Sequence, residues 1–325
     1  MGINLLDNGA ERRHIFFDPE AHPDVRESLA YLVPIPSAGL GVIFYTWVHA
    51  NGPDGQARAG SALIVYGPGV GEPIFDVHDH IGVPDSMGFD DWQVGPGKLT
   101  LSDDMMKSTV AFHSDRVSID YDWTGVNPSF GFAANRNGCP QWLAWDRTEQ
   151  GGHVVGTLTI DGVEHRLDGF AHRDHSWGMR DWGGATHWKW WNIITEGDTA
   201  IHAMELQYFG KTTLHGYVQK DGVIATITGM DADMTLDERF VHTEVRATIT
   251  DDEGRQTEVT CRQGADLQWP VSPRLWIHEA AMFTTVDGVE GVGYIECAWP
   301  PEYIAHHRTD GVGIGERSAL TLDRD

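Results

Sequence analysis

Asp-Gly or Glu-Gly pairs recur along this chain, and those at 161–162, 221–222, 253–254 and 287–288 each lie between stretches with strand character. Such a pair between alternating stretches is the strongest local hairpin signal, because the tight turn asks for positive φ, which Gly, Asp and Asn tolerate best. Residues 244–262 give the clearest case. Val245, Ala247 and Ile249 alternate with Glu244, Arg246, Thr248 and Thr250, and after the turn Val259 and Cys261 alternate with Glu258, Thr260 and Arg262. One face of that hairpin is wet and the other buried. Similar hairpins run from Val154–Ile160 into Val163–Leu167 and from Tyr217–Lys220 into Val223–Thr228. Long strands are also predicted over 41–48, 60–66, 108–121, 199–209 and 278–286. Helix is scarce; the candidate is Pro23 to Leu32, where Pro23 suits a first turn and Glu27, Ser28, Leu29 and Ala30 can continue it. The expected class is all-β, a barrel or a sandwich. At 325 residues, two β units are expected rather than one. No Pro- or Ser-rich linker separates them, so they should pack together, with a boundary near 185 that divides the chain into 1–185 and 186–325.

The net charge of −25 argues against nucleic acid, which needs a basic face, and against anionic membrane surfaces. Cys139, Cys261 and Cys297 are too far apart for a zinc knuckle or a disulfide framework and read as reduced, mostly buried thiols. Residues 1–20 carry Asp7, Glu11, Arg12, Arg13 and His14 without a long apolar core, and no run approaches the roughly 20 apolar residues of a membrane span. The expectation is a soluble, cytoplasmic protein, and a homo-oligomer is compatible with the chain. The dinucleotide, P-loop, Ser-hydrolase, zincin and kinase signatures are absent, so no cofactor is expected.

Chemistry concentrates in one run, His172-Arg173-Asp174-His175-Ser176-Trp177-Gly178-Met179-Arg180-Asp181-Trp182, followed by Trp188-Lys189-Trp190-Trp191. Ionisable groups this dense among indoles are poor for plain packing, since buried charges cost free energy unless they are paired. If the run is extended, His172, Asp174 and Ser176 share one face and Arg173, His175 and Trp177 the other. Asp174 and His175 supply an acid and a base; Asp181 and Arg180 supply a second pair. The competing interpretation is a structural plug of Arg–Asp pairs and packed indoles.

Two further segments stand out. Phe75-Asp76-Val77-His78-Asp79-His80 holds a His-x-His, which in a strand puts both imidazoles on one face at a metal-ligand spacing, although the residues after it offer only Asp85. Gly291-Val292-Gly293-Tyr294-Ile295-Glu296-Cys297-Ala298-Trp299 reads as a strand with Tyr294 and Glu296 on one face. Glu205, in the strand over 199–209, is a comparable lone acid.

The run Arg173-Asp174-His175-Ser176-Trp177-Gly178, then Arg180-Asp181-Trp182, then the aromatic strand at Trp188–Trp191, resembles the hydroxyneurosporene synthase (carotenoid 1,2-hydratase) superfamily, which includes AttH-like proteins and lipocalin-like Diels–Alderases. The resemblance covers about 25 residues in motif, centred on Asp-His-Ser-Trp-Gly, and most of the chain in character. It implies two consecutive lipocalin-like β-barrels or half-barrels, with cofactor-independent chemistry on hydrophobic small molecules. Asp174, His175, Trp177 and Arg180 carry the motif here.

The resulting expectation is a cofactor-independent lyase of hydratase, dehydratase, isomerase or cyclase type. Its substrate would be apolar, such as a terpenoid, steroid, polyketide or lignin-type aromatic. Asp174 is the general acid; His175, or Asp181 through a water, is the base; Arg180 orients Asp181. Trp177, Trp188 and Trp190 hold the substrate, with His78, Tyr294 and Glu296 also assigned to its binding, and no metal is assigned. Two alternatives stay open: a carrier of an apolar ligand without chemistry, and a metal-dependent enzyme using His78 and His80.

Overall fold

The computed structural model describes residues 12–181, 185–307 and 314–321. The chain divides into two units. The first comprises Met1–Val33, Val42–Val65 and Pro73–Trp182, and the second Pro34–Gly41, Tyr66–Glu72 and Gly183–Asp325.

The first unit is built on β1 (Val25–Ile35), β2 (Leu40–His49), β3 (Ala57–Tyr66), β4 (Ile74–Val83), β5 (Trp92–Val94), β6 (Gly97–Leu101), β7 (Lys107–His113), β8 (Val117–Gly125), β9 (Phe130–Gly131), β10 (Asp146–Ile160) and β11 (Val163–Met179). They form one nearly closed, barrel-like sheet in the order β4-β3-β2-β1-β11-β10-β8-β7-β6-β5, with β9 paired to β10. Its core is aromatic: Tyr31, Phe44, Phe112 and Trp123 are fully buried, and Tyr31 meets Trp123 edge-on at 6.1 Å. Gly152 has no room for a side chain, since a Cβ there would lie 2.1 Å from the Trp123 ring.

The second unit holds β12 (Ala185–Thr195), β13 (Ala200–Tyr208), β14 (Lys211–Lys220), β15 (Val223–Leu236), β16 (His242–Asp251), β17 (Gln256–Ser272), β18 (Leu275–Val286), β19 (Val289–Trp299), α1 (Pro301–His307) and β20 (Ile314–Thr321). Strands β12 to β19 close on themselves into an eight-stranded barrel, and β20 adds to β15. The barrel interior is apolar and includes Trp191, Ile193, Phe240, Met282, Ile295 and Trp299. The architecture is therefore all-β, two lipocalin-like barrel units with little helix, as the sequence pattern implies.

The Asp-Gly turns do what their chemistry allows. Asp161-Gly162, Asp221-Gly222 and Asp287-Gly288 each take positive φ at both positions and close two-residue loops between β10 and β11, β14 and β15, and β18 and β19. Both central residues at positive φ mark the type I′ turn, whose twist matches that of the strands it joins.

Two local expectations fail. Residues 23–32 are not helical: Val25 onward is strand β1, paired with β11 from Val25↔Met179 to Leu32↔His172 and buried on both faces. Pairing along both edges, with β2 and β11, and burial of both faces outweigh the weak helix preference of Glu27 to Ala30. The single strand expected over 108–121 is a hairpin, β7 to β8, turning at Ser114–Arg116, where the Ser114 N–H donates to the Val117 carbonyl. Cys139, Cys261 and Cys297 form no disulfide. Among the described residues no helix is long and apolar enough to cross a membrane.

Candidate functional site

Strand β11 carries the central run, and the pleat splits it in two. His172, Asp174 and Ser176 lie on one face, and Arg173, His175 and Trp177 on the other. The register fixes their neighbours. Asp174 lies opposite Glu149 of β10 and Ala30 of β1, while Ser176 lies opposite Arg147 and Ser28.

The Asp174 face is a buried ionic cluster. Two acids directly opposite each other repel, and Arg147 sits between them, its Nε 2.5 Å from Glu149 Oε1 and 3.3 Å from Asp174 Oδ1. His172 Nε2 is 2.5 Å from Glu149 Oε2. Arg180 donates to the Ser176 hydroxyl at 2.9 Å and to the Leu143 carbonyl at 2.8 Å. Arg26, on β1, donates to the Tyr45 hydroxyl. Burial pushes the Asp174 carboxyl up to about 6; Arg147 opposes the rise and Glu149 adds to it. Burial also drives His172 down to about 3, so its imidazole is neutral and donates Nε2–H to Glu149. Arg180 falls to about 10, through burial and then the charge of Arg26. Arg147 is held above its ordinary value, because its two carboxylate partners outweigh its burial.

The opposite face is organised by Glu27. Its Oε2 accepts the backbone N–H groups of His14 and Ile15 at 2.7 and 2.8 Å. Its Oε1 meets His14 Nδ1 at 3.1 Å and His175 Nε2 at 2.8 Å. Burial works to raise this acid, but the hydrogen bonds from His14 and His175 win and hold it at about 2. The His14 ring stacks on Trp177, centroids 4.0 Å apart. His14 Nδ1, Glu27 Oε1 and His175 Nε2 lie within 4.8 Å of one another, a spacing a divalent ion accepts. A cleft of about 500 Å³ opens between residues that include Arg13, Phe16, Met87 and Phe89. Phe89 meets His175 edge-on at 5.3 Å, so the cleft wall backs onto the Glu27 face and not onto Asp174.

In the second unit, Trp188 and Trp190 of β12 share a face with Tyr294 and Glu296 of β19 and Glu279 of β18; Trp190 lies opposite Glu296, and Glu296 opposite Glu279. Trp188 Nε1 donates to Glu296 Oε1. Lys189 points the other way and meets Glu205 at 3.1 Å, with His187 Nε2 3.9 Å from the same oxygen.

The family model described as "Domain of unknown function (DUF7064)" matches residues 7–301. The chain belongs to this DUF7064 family. No curated protein matches it. Solved structures do. An AttH-type protein of Nitrosomonas europaea superposes with a TM-score of 0.62 at 16% identity, covering 85% of this chain and 93% of its own. Kievitone hydratase of Nectria haematococca gives 0.57 at 13%, covering 91% and 94%. CghA, solved with Sch210972, gives 0.61 at 15%, covering 86% and 89%. At these identities the DUF7064 chain shares their fold, the one implied by the resemblance of its central motif.

Of the residues expected to work together in this DUF7064 member, the fold unites some and separates others. Asp174 and His175 do not form one acid–base couple, because neighbouring residues of a strand face opposite sides. Arg180 directs its hydrogen bonds to Ser176 and Leu143, and Asp181 is exposed, its N–H donating to the Trp142 carbonyl. Trp182 lies outside the described residues. Trp188 and Trp190 do share a face with Tyr294 and Glu296. His78 pairs with Asp76 at 2.8 Å, but His80 has φ 63° inside a bulge of β4. That bulge breaks the alternation on which a shared His-x-His face depends.

Three residues at the Asp174 face were not singled out from sequence: Arg147, Glu149 and, as a working group, His172. The parity of 172 and 174 was the available signal. Glu149 and Arg147 come from the partner strand and have no local signature, nor has Glu27, which is 148 residues from His175.

Proposed function

We propose that the protein is a cofactor-independent lyase of the hydratase or cyclase type, acting on an apolar small molecule with Asp174 as proton donor. One observation carries this reading. A buried carboxyl titrating near neutrality, at about 6, stands 3.3 Å from a guanidinium that can receive its negative charge once the proton leaves. Buried strand residues need no such group for packing. The hydratase and the CghA structures of the same fold support the class of reaction, and the lack of any nucleotide-binding signature in the sequence agrees with it. The substrate class is the one the resemblance of the central motif implies, a hydrophobic small molecule such as a terpenoid, steroid, polyketide or lignin-type aromatic.

In the hydration direction, Asp174 gives its proton to one alkene carbon as the π bond breaks, leaving positive charge on the other. Water adds to that carbon and loses a proton to His172. His172 replaces His175 as base because it shares the Asp174 face, is neutral, and is aligned by Glu149. Arg147 steadies the carboxylate left on Asp174. Proton return through solvent closes the cycle, and the reverse sequence is dehydration. In a cyclase, the same protonation opens a ring closure instead of admitting water.

The test is a panel of apolar alkenes and their hydrates incubated in ¹⁸O-water and followed by mass spectrometry. Wild-type protein is expected to form a product 20 mass units heavier that contains the label, or to run the reverse loss. Asp174→Asn should lower turnover on the order of 100-fold or more while the melting temperature moves by only a few degrees. Unchanged turnover in Asp174→Asn removes the assignment. Saturable binding of panel members with no product from any of them would make the protein a carrier.

A further inference from the structure

On the face of β11 that looks away from Asp174, three side chains from distant parts of the chain converge. His14 comes from the segment ahead of β1, Glu27 from β1 and His175 from β11. His14 Nδ1 and His175 Nε2 approach the same carboxylate oxygen, Glu27 Oε1, at 3.1 and 2.8 Å. Neighbouring ligands of a tetrahedral zinc ion, bonded at about 2.0–2.1 Å, stand about 3.3 Å apart. Two imidazole nitrogens and a carboxylate oxygen therefore already stand near the spacing that such an ion requires.

The surroundings hold each donor in place. The backbone N–H groups of His14 and Ile15 fix Glu27 Oε2, which leaves Oε1 to face the two rings. The His14 ring stacks on Trp177 with centroids 4.0 Å apart and planes 5° from parallel. His175 sits between Trp177, at 5.0 Å, and Phe89, edge-on at 5.3 Å. Arg13 donates to the carbonyls of Ile15, Pro84 and Met87, so the backbone that presents His14 is itself tied down. Metal ligands are normally oriented by an outer layer of this kind. Access and charge agree. The His14 side chain is 26% exposed, and the cleft of about 500 Å³ is lined by Phe89, which packs on His175, and by Arg13, next to His14 in the chain. Two acids, Glu27 and Asp146, which lies opposite Trp177 and interacts with both rings, stand against one cation, Arg13, which Asp85 approaches at 3.6 Å.

We propose that His14 Nδ1, His175 Nε2 and Glu27 Oε1 form a binding site for one divalent cation of the zinc type, completed by water. The nitrogen donors select zinc over magnesium and calcium, which prefer sets made of oxygen alone. The ion replaces the hydrogen bonds between the rings and Oε1. It staples the segment ahead of β1 to β1 and β11, and its fourth position opens at the exposed edge of His14. The site is separate from the chemistry assigned to Asp174, on the other face of β11, and its occupancy is read without turnover.

The experiment uses the full chain, treated with EDTA and dialysed. Zinc chloride and magnesium chloride are titrated at pH 7 by calorimetry, and cobalt chloride by visible absorption. Zinc should bind saturably at one site per chain, magnesium should not bind, and cobalt should give the strong absorption of a four-coordinate ion. His14→Ala removes a partly exposed ligand and His175→Ala a buried one. Each should weaken zinc on the order of 100-fold and abolish the cobalt band, with folding checked by circular dichroism. His113→Ala, which removes an exposed His–Asp pair with Asp120, should change neither. Absence of saturable zinc binding overturns the proposal. So does zinc affinity unchanged in folded His14→Ala, affinity lost equally in His113→Ala, or only the weak absorption of six-coordinate cobalt.

Discussion

Each unit sets one carboxyl directly opposite another across neighbouring strands, Asp174 against Glu149 in the first and Glu279 against Glu296 in the second. The two pairs resolve the same repulsion differently. Arg147 lies between the first two, with contacts of 2.5 and 3.3 Å, so a fixed cation offsets their charge. For the second pair the causes acting on Glu279 are burial and its two neighbours Glu296 and Tyr294, and it is a proton on Glu279 that removes the clash. A cation leaves Asp174 able to give and take a proton near neutral pH, whereas the second pair keeps its proton as a standing hydrogen-bond donor. The first arrangement suits catalysis.

The most disruptive way to break this comparison is to remove the cation. Arg147→Met should leave two buried acids facing each other and destabilise the protein by about 3–5 kcal/mol, the usual cost of stripping one partner from a buried ion pair. Urea denaturation at pH 7 measures it. The loss should shrink at pH 4.5, where Asp174, with a folded value of about 6, takes up a proton. A loss equally large at both pH values would mean that Arg147 acts through packing alone.

The second test follows the proton itself. Asp174 must be protonated to donate, so kcat should be flat below pH 6 and fall up to tenfold per unit above it. Stability carries the opposite sign from that of an ordinary ion-paired acid. The folded value of about 6 lies above the unfolded one of about 3.8, so folding loses free energy as pH rises from about 4 to 6. Asp174→Asn should remove that slope. A rate that rises through pH 6 would make Asp174 a base instead of an acid.

Glu27 sharpens the contrast with a third solution, in which hydrogen bonds from His14 and His175, aided by the charge interaction with the same two rings, hold a buried acid ionised. Its folded value of about 2 lies below the ordinary 4.5, so its stabilisation is present above pH 4.5 and lost as pH falls toward 2. Glu27→Gln should cost roughly 2–3 kcal/mol at pH 7 and progressively less as the wild type is acidified. A cost that stays constant down to pH 2.5 would show that the ionised form is not what the site prefers.

These arrangements were unequally legible in the sequence. The hairpins could be read because a type I′ turn is local chemistry, set by two residues such as Asp161 and Gly162. The division of His172, Asp174 and Ser176 from Arg173, His175 and Trp177 could be read because strand parity is local too. The partners could not. Arg147 and Glu149 reach Asp174 only through the β10–β11 register, and Glu27 reaches His175 across 148 residues. Local preference misled at β1, where good helix formers are drawn into a strand by pairing with β11. It misled again at β4, where the bulge at His80 undoes the alternation. Sequence supplied the faces, and tertiary pairing decided what each face meets.

The smallest expected effect is the most discriminating for the second pair. Glu279 is neutral in the folded protein, so Glu279→Gln replaces one uncharged group by another of nearly equal shape. At pH 4.5 the change should stay within about 1 kcal/mol, as isosteric replacement without loss of charge allows. As pH rises, the unfolded wild type releases the proton that the folded state retains, which erodes wild-type stability. The variant has no proton to release and should gain on the wild type steadily from pH 4.5 to 8. Denaturation curves at both pH values decide it. If Glu279→Gln instead destabilises increasingly with pH, Glu279 is ionised and held by a cation, and the second pair works like the first.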